Sequence, residues 1–173
     1  MDTLPRTKKI VMEHHHIIII GAGQGGLGVS YYLSIAGINH LILEQGGIAN
    51  SWKEKRWDSF CLVTPNWTIN LPGKPYSGPD PNGFMKRDEF VSYFKKWADD
   101  FNAPVRGGVK VNKIITQNNG FLLKTNKGEI SSDIVIVATA TYQLPKLPEI
   151  SQKIPKEVTQ IHAENYKNPT QIG

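Results

Sequence analysis

A chain of 173 residues is one ordinary domain's worth of protein and excludes a large multidomain enzyme within these residues. Hydrophobic residues at 39% and charged residues at 20% give a globular composition, neither disordered nor fibrous. The net charge of +5 is spread without any run of five like charges, so no nucleic-acid surface is expected.

No apolar run approaches the ~20 residues that cross a bilayer, and Met1–Met12 lacks the apolar centre of a secretion signal. The single cysteine, Cys61, excludes an internal disulfide and a cysteine-rich zinc site, and is expected to be a small buried residue. A cytoplasmic protein with no membrane partner is the expectation, with residues 1–16 as a flexible extension. His14-His15-His16 has no recognisable carboxylate or cysteine partner in the sequence, so no metal site is assigned.

The first element is Ile17-Ile18-Ile19-Ile20, a run of β-branched residues that reads as a strand buried on both faces. It leads into Gly21-Ala22-Gly23-Gln24-Gly25-Gly26. A helix should follow, with Leu27, Tyr31 and Ile35 on one face and Gly37 ending it. Leu41-Ile42-Leu43 then reads as a second buried strand closed by Glu44. This βαβ unit implies a parallel sheet in a layered α/β fold.

Residues 45–85 are rich in proline and glycine and carry Trp52, Trp57, Phe60, Trp67 and Tyr76. So many breakers forbid long elements, although Ser51-Trp52-Lys53-Glu54 matches a capping box for a short helix. An aromatic loop of this length is expected to be functional or packed over something. A second helix is expected from Asp88, as N-cap, to about Asp100, with Phe90, Phe94 and Trp97 on one face. Val109-Lys110-Val111 reads as a short strand. Phe121–Thr125 and Glu129-Ile130 flank Asn126-Lys127-Gly128 as a hairpin, and Ile134–Ala138 reads as a further buried strand. The proline-bearing tail from 145 onward looks like extended connection.

Gly21, Gly23 and Gly26 satisfy G-x-G-x-x-G. The first glycine permits the tight turn, the second lets a pyrophosphate approach the backbone, and the third lets helix and strand pack closely. Glu44 stands at the end of the next strand, where a carboxylate accepts from both ribose hydroxyls and repels a 2′-phosphate. The βαβ unit alone leaves NAD and FAD open. The aromatic loop, helix and hairpin that follow favour a flavin-binding domain with a β-meander insertion.

Taken together, the segments Ile20–Leu27, Leu43–Gly46, Ser51-Trp52, Arg56–Phe60, Thr64–Trp67, Val135–Thr139 and His162–Tyr166 resemble one family. It is the flavin-containing monooxygenase-like flavoproteins, including bacterial members labelled as related to potassium transport, and the resemblance is to their N-terminal portion. It implies FAD held by Gly21, Gly23, Gln24, Gly25, Gly26, Glu44 and Gln45, with Trp52 and Arg56 near the flavin. It also implies backbone contact to adenine at Val111 and contacts at Ala138 and Thr139. Trp67 is expected to pack beneath its loop. By resemblance, NADPH reduces FAD, and oxygen then forms a flavin hydroperoxide that oxygenates a small-molecule substrate.

The expected architecture is a Rossmann-like FAD-binding domain over 17–144, a parallel sheet with a β-meander. Residues 145–173 form a connector toward an NADPH-binding domain that lies outside this chain. The chain alone is then expected to be incomplete, with a separate C-terminal portion as its natural partner, and no catalytic side chain stands out. Two alternatives stay open: a non-catalytic dinucleotide-binding fragment and a short NAD-dependent dehydrogenase. The sequence departs from the family at Ala140, where the usual A-T-G has glycine, and at Val158-Thr159-Gln160, where F-x-G is usual.

Overall fold

A computed structural model describes residues 12–141 and 144–172. The part of the expected N-terminal extension before Met12 lies outside the described residues. Strand β1 (Glu13–Ile20) leads into helix α1 (Gln24–Ile35) and strand β2 (Leu41–Leu43). Helix α2 (Asn50–Glu54), the short strands β3 (Asn70–Leu71) and β4 (Lys74–Pro75), and helix α3 (Arg87–Asp100) follow. The chain continues through β5 (Val105–Arg106), β6 (Val111–Gln117), β7 (Gly120–Thr125) and β8 (Gly128–Val137). Beyond Val137 the described helical segments are the 3₁₀ turns Glu149–Lys153 and Pro169–Gln171.

Six strands form one sheet in the order β5-β2-β1-β8-β7-β6, parallel from β5 to β8 and antiparallel across β8, β7 and β6. The isoleucine run explains the centre. Ile19 and Ile42 point to one face, toward α1 and α3, and Ile18, Ile20, Leu41 and Leu43 point to the other. Both faces are covered, so the strand has no polar alternation to show. Ser30 and His40 close the α1–β2 link from inside. The Ser30 hydroxyl donates to His40 Nε2 at 2.7 Å, and His40 Nδ1–H donates to the Ile38 carbonyl at 2.8 Å.

The hairpin forms where expected, with Gly128 at φ 120° in its turn. The strand after it is longer than expected. β8 runs unbroken from Gly128 to Val137, pairing with β7 over its first half and with β1 from Ile130 onward. The hairpin's second arm and the strand at 134 are therefore one element, and the expected burial of that strand is corrected: Ile134 is 43% and Val137 61% exposed. Ser132 sits inside it, 1% exposed, its hydroxyl donating to the Ile134 carbonyl at 2.7 Å.

Five further expectations are corrected. β1 starts at Glu13, so Glu13–His16 belong to the sheet. α2 is capped at Ala49, in the left-handed region at φ 57°, and Ser51 lies inside the helix. α3 is capped at Lys86, whose N–H donates to Glu89, and Asp88 lies inside its first turn. β6 starts at Val111, because Val109 and Lys110 serve as the bridge that carries the chain past Glu44. Ile35 is 67% exposed, so the apolar face of α1 stops short of its last residue.

The aromatic loop is packed over the helices. Trp52, Phe60, Phe90, Phe94, Trp97 and Phe101 form a chain of ring contacts with centroids 4.7–5.8 Å apart. Trp97 Nε1–H donates to the Pro72 carbonyl at 2.9 Å, and Asn66 bridges Asp80 and Met85. These bonds satisfy the polar backbone of a loop with almost no ladder of its own. Trp67 and Cys61 stand apart from this packing. Trp67 is 63% exposed, and the Cys61 side chain faces solvent while its backbone bridges to Lys86.

Candidate functional site

The carboxyl ends of β1, β2 and β8 meet beside the start of α1, at the point where the sheet order reverses direction. This is where open α/β sheets place a ligand. Three backbone bonds define the floor. Gly21 N–H donates to Leu43 O at 2.8 Å, Ala138 N–H to Ile20 O at 2.9 Å, and Val109 N–H to Glu44 O at 2.9 Å. Above them opens a cleft of about 760 Å³.

Gly21, at φ 106°, turns the chain so tightly that a Cβ there would lie 2.6 Å from the Ala138 carbonyl oxygen. A Cβ on Gly26 would lie 1.9 Å from the Gly21 carbonyl oxygen. Gly23 and Gly25 differ, because a Cβ on either would meet nothing within 4 Å. Two glycines of this turn therefore serve packing, and two leave open space at the end of α1. The N–H groups of Gln24, Gly25 and Gly26 precede the first helical bond, Leu27 to Gly23 at 3.0 Å, and carry the positive end of the helix dipole.

Glu44 is 9% exposed at the far side of the cleft. Its Oε2 accepts from Ala22 N–H at 2.8 Å and its Oε1 from Gly46 N–H at 2.9 Å. Each oxygen keeps a further lone pair for a hydroxyl donor. A carboxylate held in place by two backbone donors is pre-oriented for a diol and set against a second phosphate.

Of the sequence-expected site residues, Gly21, Gly23, Gln24, Gly25, Glu44, Gln45, Trp52, Val111, Ala138 and Thr139 all line this cleft. Gly26 lies buried beneath the turn. Arg56 lies outside the cleft, its guanidinium 5.1 Å from the Trp52 ring centroid and 5.5 Å from that of Phe60. Asn50, Ser51 and Lys110 line the cleft as well and were missed. No spacing in the sequence marks them, since their placement follows from α2 and the 107–110 bridge folding over Glu44.

The departure at Ala140 has a structural counterpart. Ala140 lines the cleft at φ 60°, in the left-handed region that glycine occupies freely. Ala140→Gly is expected to raise stability by roughly 0.5–1 kcal/mol. That figure is the left-handed cost of about 1–2 kcal/mol less the extra freedom glycine gives the unfolded chain. Thermal unfolding checks it, and a lower melting temperature would refute it.

The histidine run finds carboxylates that the sequence concealed. His16 Nδ1 lies 2.8 Å from Asp133 Oδ2, His14 Nε2 lies 3.4 Å from Asp133 Oδ1, and His15 Nε2 lies 2.7 Å from Glu13. Hydrogen bonds from Arg106, then from His15, hold the Glu13 carboxyl down to about 2. Among the described residues no group of three or more His, Cys, Asp or Glu is arranged to hold a metal ion. Asp58 is likewise engaged elsewhere, with Asn168 at 2.9 Å and Arg87 at 3.0 Å, and these bonds lower its pKa, Asn168 first.

Sheet order, crossover helix and glycine turn define a Rossmann-like α/β unit with a β-meander inserted before its last parallel strand. The chain belongs to the pyridine nucleotide-disulphide oxidoreductase family, whose model matches residues 18–172. Among curated relatives it is 34% identical to the uncharacterized oxidoreductase CzcO of Bacillus subtilis, over 90% of this chain and 45% of that protein. It is 33% identical to a probable indole-3-pyruvate monooxygenase of Arabidopsis thaliana, over 97% of this chain and 42% of that protein. Among solved structures, a mutant flavin monooxygenase from Stenotrophomonas maltophilia superposes with a TM-score of 0.78 at 23% identity. That match covers 92% of this chain and 48% of the other. The chain thus spans less than half the length of these relatives. Among the described residues no helix is long and apolar enough to cross a membrane.

Proposed function

We propose that this chain forms the FAD-holding portion of a flavin-dependent monooxygenase or oxidoreductase for which NADPH is the reductant. The observation that carries the proposal is the pairing of Glu44 with the open glycine turn across one cleft. In this reading the α1 N–H groups take the pyrophosphate, where Gly23 and Gly25 leave room for it. Glu44 takes the ribose hydroxyls and disfavours a 2′-phosphate, which selects FAD over NADPH in this cleft. Backbone at Val111 meets the adenine, and Trp52 walls the opposite end against water.

Bound FAD supplies the redox chemistry, and the residues named here bind it, orient it and limit solvent.

The test is the visible spectrum of the purified chain. Bands near ~370 and ~450 nm, with FAD released on denaturation, support the proposal. A colourless protein that takes up NAD and rejects FAD would refute it. Glu44→Gln is expected to weaken FAD binding by about 1–2 kcal/mol, roughly tenfold, through loss of one acceptor and its charge. Titration by flavin fluorescence quenching checks this, and unchanged affinity would remove Glu44 from the ribose.

A further inference from the structure

We propose that a second cavity, beside Arg56 and Phe60, binds an apolar carboxylic acid. The cavity holds about 460 Å³ between the loop after α2 and the segments 144–146 and 162–164. Its walls are apolar. Trp57 and Phe60 meet edge to face at 5.0 Å, and Pro145 and Leu144 form the lip, with Leu144 87% exposed.

Its polar groups are chiefly cationic. Arg56 lies over the rings of Trp52 and Phe60, and its one hydrogen bond runs from Nη1 to the Lys55 carbonyl at 3.2 Å. Among the described residues no carboxylate pairs with it. Ring stacking fixes the plane of the guanidinium and leaves its remaining N–H fork free, the geometry that takes a carboxylate. Lys146 lines the same cavity. His162 Nδ1 accepts from the Glu164 N–H at 3.1 Å, which leaves Nε2 to carry the ring proton.

The one acid present, Glu164, is paired with Lys55 at 2.8 Å, and that hydrogen bond lowers its pKa. Lys55, Arg56 and Lys146 together outnumber Glu164, whose charge also acts on Arg56 and His162, so an apolar space is faced by a net positive lining. A small, strongly hydrated anion would gain the charge contact and waste the apolar wall. An acid with a hydrophobic body uses both, and covers Leu144.

The chain is titrated with 4-phenylbutyrate and with its neutral amide in a calorimeter. The acid is expected to bind with a Kd below about 1 mM and the amide about tenfold more weakly. Arg56→Gln should weaken the acid about tenfold, and Lys146→Gln, at an exposed position clear of the core rings, several-fold. Equal affinity for acid and amide, inorganic phosphate binding as tightly as the acid, or no effect of either variant would overturn the proposal. So would an Arg56→Gln variant that loses flavin and keeps the acid, since Arg56 would then belong to the cofactor. A colourless protein that still discriminates acid from amide supports this site and sinks only the flavin reading.

Discussion

Gly26→Ala is expected to destabilise the protein by about 3 kcal/mol, the upper end of the cost of forcing an extra carbon into a packed site. The added Cβ would lie 1.9 Å from the Gly21 carbonyl oxygen and 3.0 Å from its carbon. Both are backbone atoms, so relief requires moving α1 away from β1 or deforming the turn. Neither is cheap, because Gly21 N–H is already bonded to Leu43 O and Leu27 beside it is fully buried. The melting temperature should fall by roughly 10 °C for a chain of this size. Gly23→Val is the contrasting experiment. A Cβ there meets nothing within 4 Å, so melting should move by only about 2 °C, whereas FAD affinity should drop steeply because the valine fills the pyrophosphate space. Equal melting temperatures for the two variants would refute this division of the glycine motif.

Phe94→Ala is expected to cost about 4 kcal/mol. Phe94 is fully buried at the centre of the ring chain, 4.7 Å from Phe90 and 5.8 Å from Trp97. It backs Phe90, which in turn packs against Trp52 of α2. The neighbouring rings, Phe90 and Trp97, are bulky side chains fixed on the same helix, α3, so the cavity cannot collapse easily. Thermal or urea unfolding checks the value, and a loss below about 1 kcal/mol would show that the rings repack. Because Trp52 is held by Phe60 and Phe90, the substitution should also loosen that wall of the cofactor cleft.

Much of this was legible because it is local. The isoleucine run, the glycine turn, Glu44 and the Asn126–Gly128 hairpin each rest on short-range rules, and ten of the twelve expected site residues line one cleft. What was not legible depends on distant partners. The hairpin arm was expected at Glu129-Ile130 and a separate strand from Ile134, which left the polar triplet Ser131-Ser132-Asp133 between them. Its backbone is paired on one side by β1, and on the other by β7 as far as Ser132, so the strand continues through it. Arg56 was placed near the flavin by resemblance alone; its guanidinium packs over the rings of Trp52 and Phe60 and lines a different cavity, a placement that depends on partners distant in the sequence. Cys61 and Trp67 were expected inside, but neither composition nor periodicity shows which side of an irregular loop meets the helices.

The unbroken course of β8 constrains which changes in length the gene tolerates. Side chains alternate faces at every residue of a strand, so a single inserted residue near Ser131 would turn Ile134 through Val137 onto the opposite face. It would also displace Ala138 from Gly21, while the hairpin with β7 stayed in register. An insertion at the β6–β7 turn, Asn118-Asn119, which lines no part of the cleft, would leave the pairing of β8 with β1 unchanged. The meander therefore behaves as a ruler for the ligand site: drift in its outer loop is neutral, and drift in its inner strand is lethal to binding.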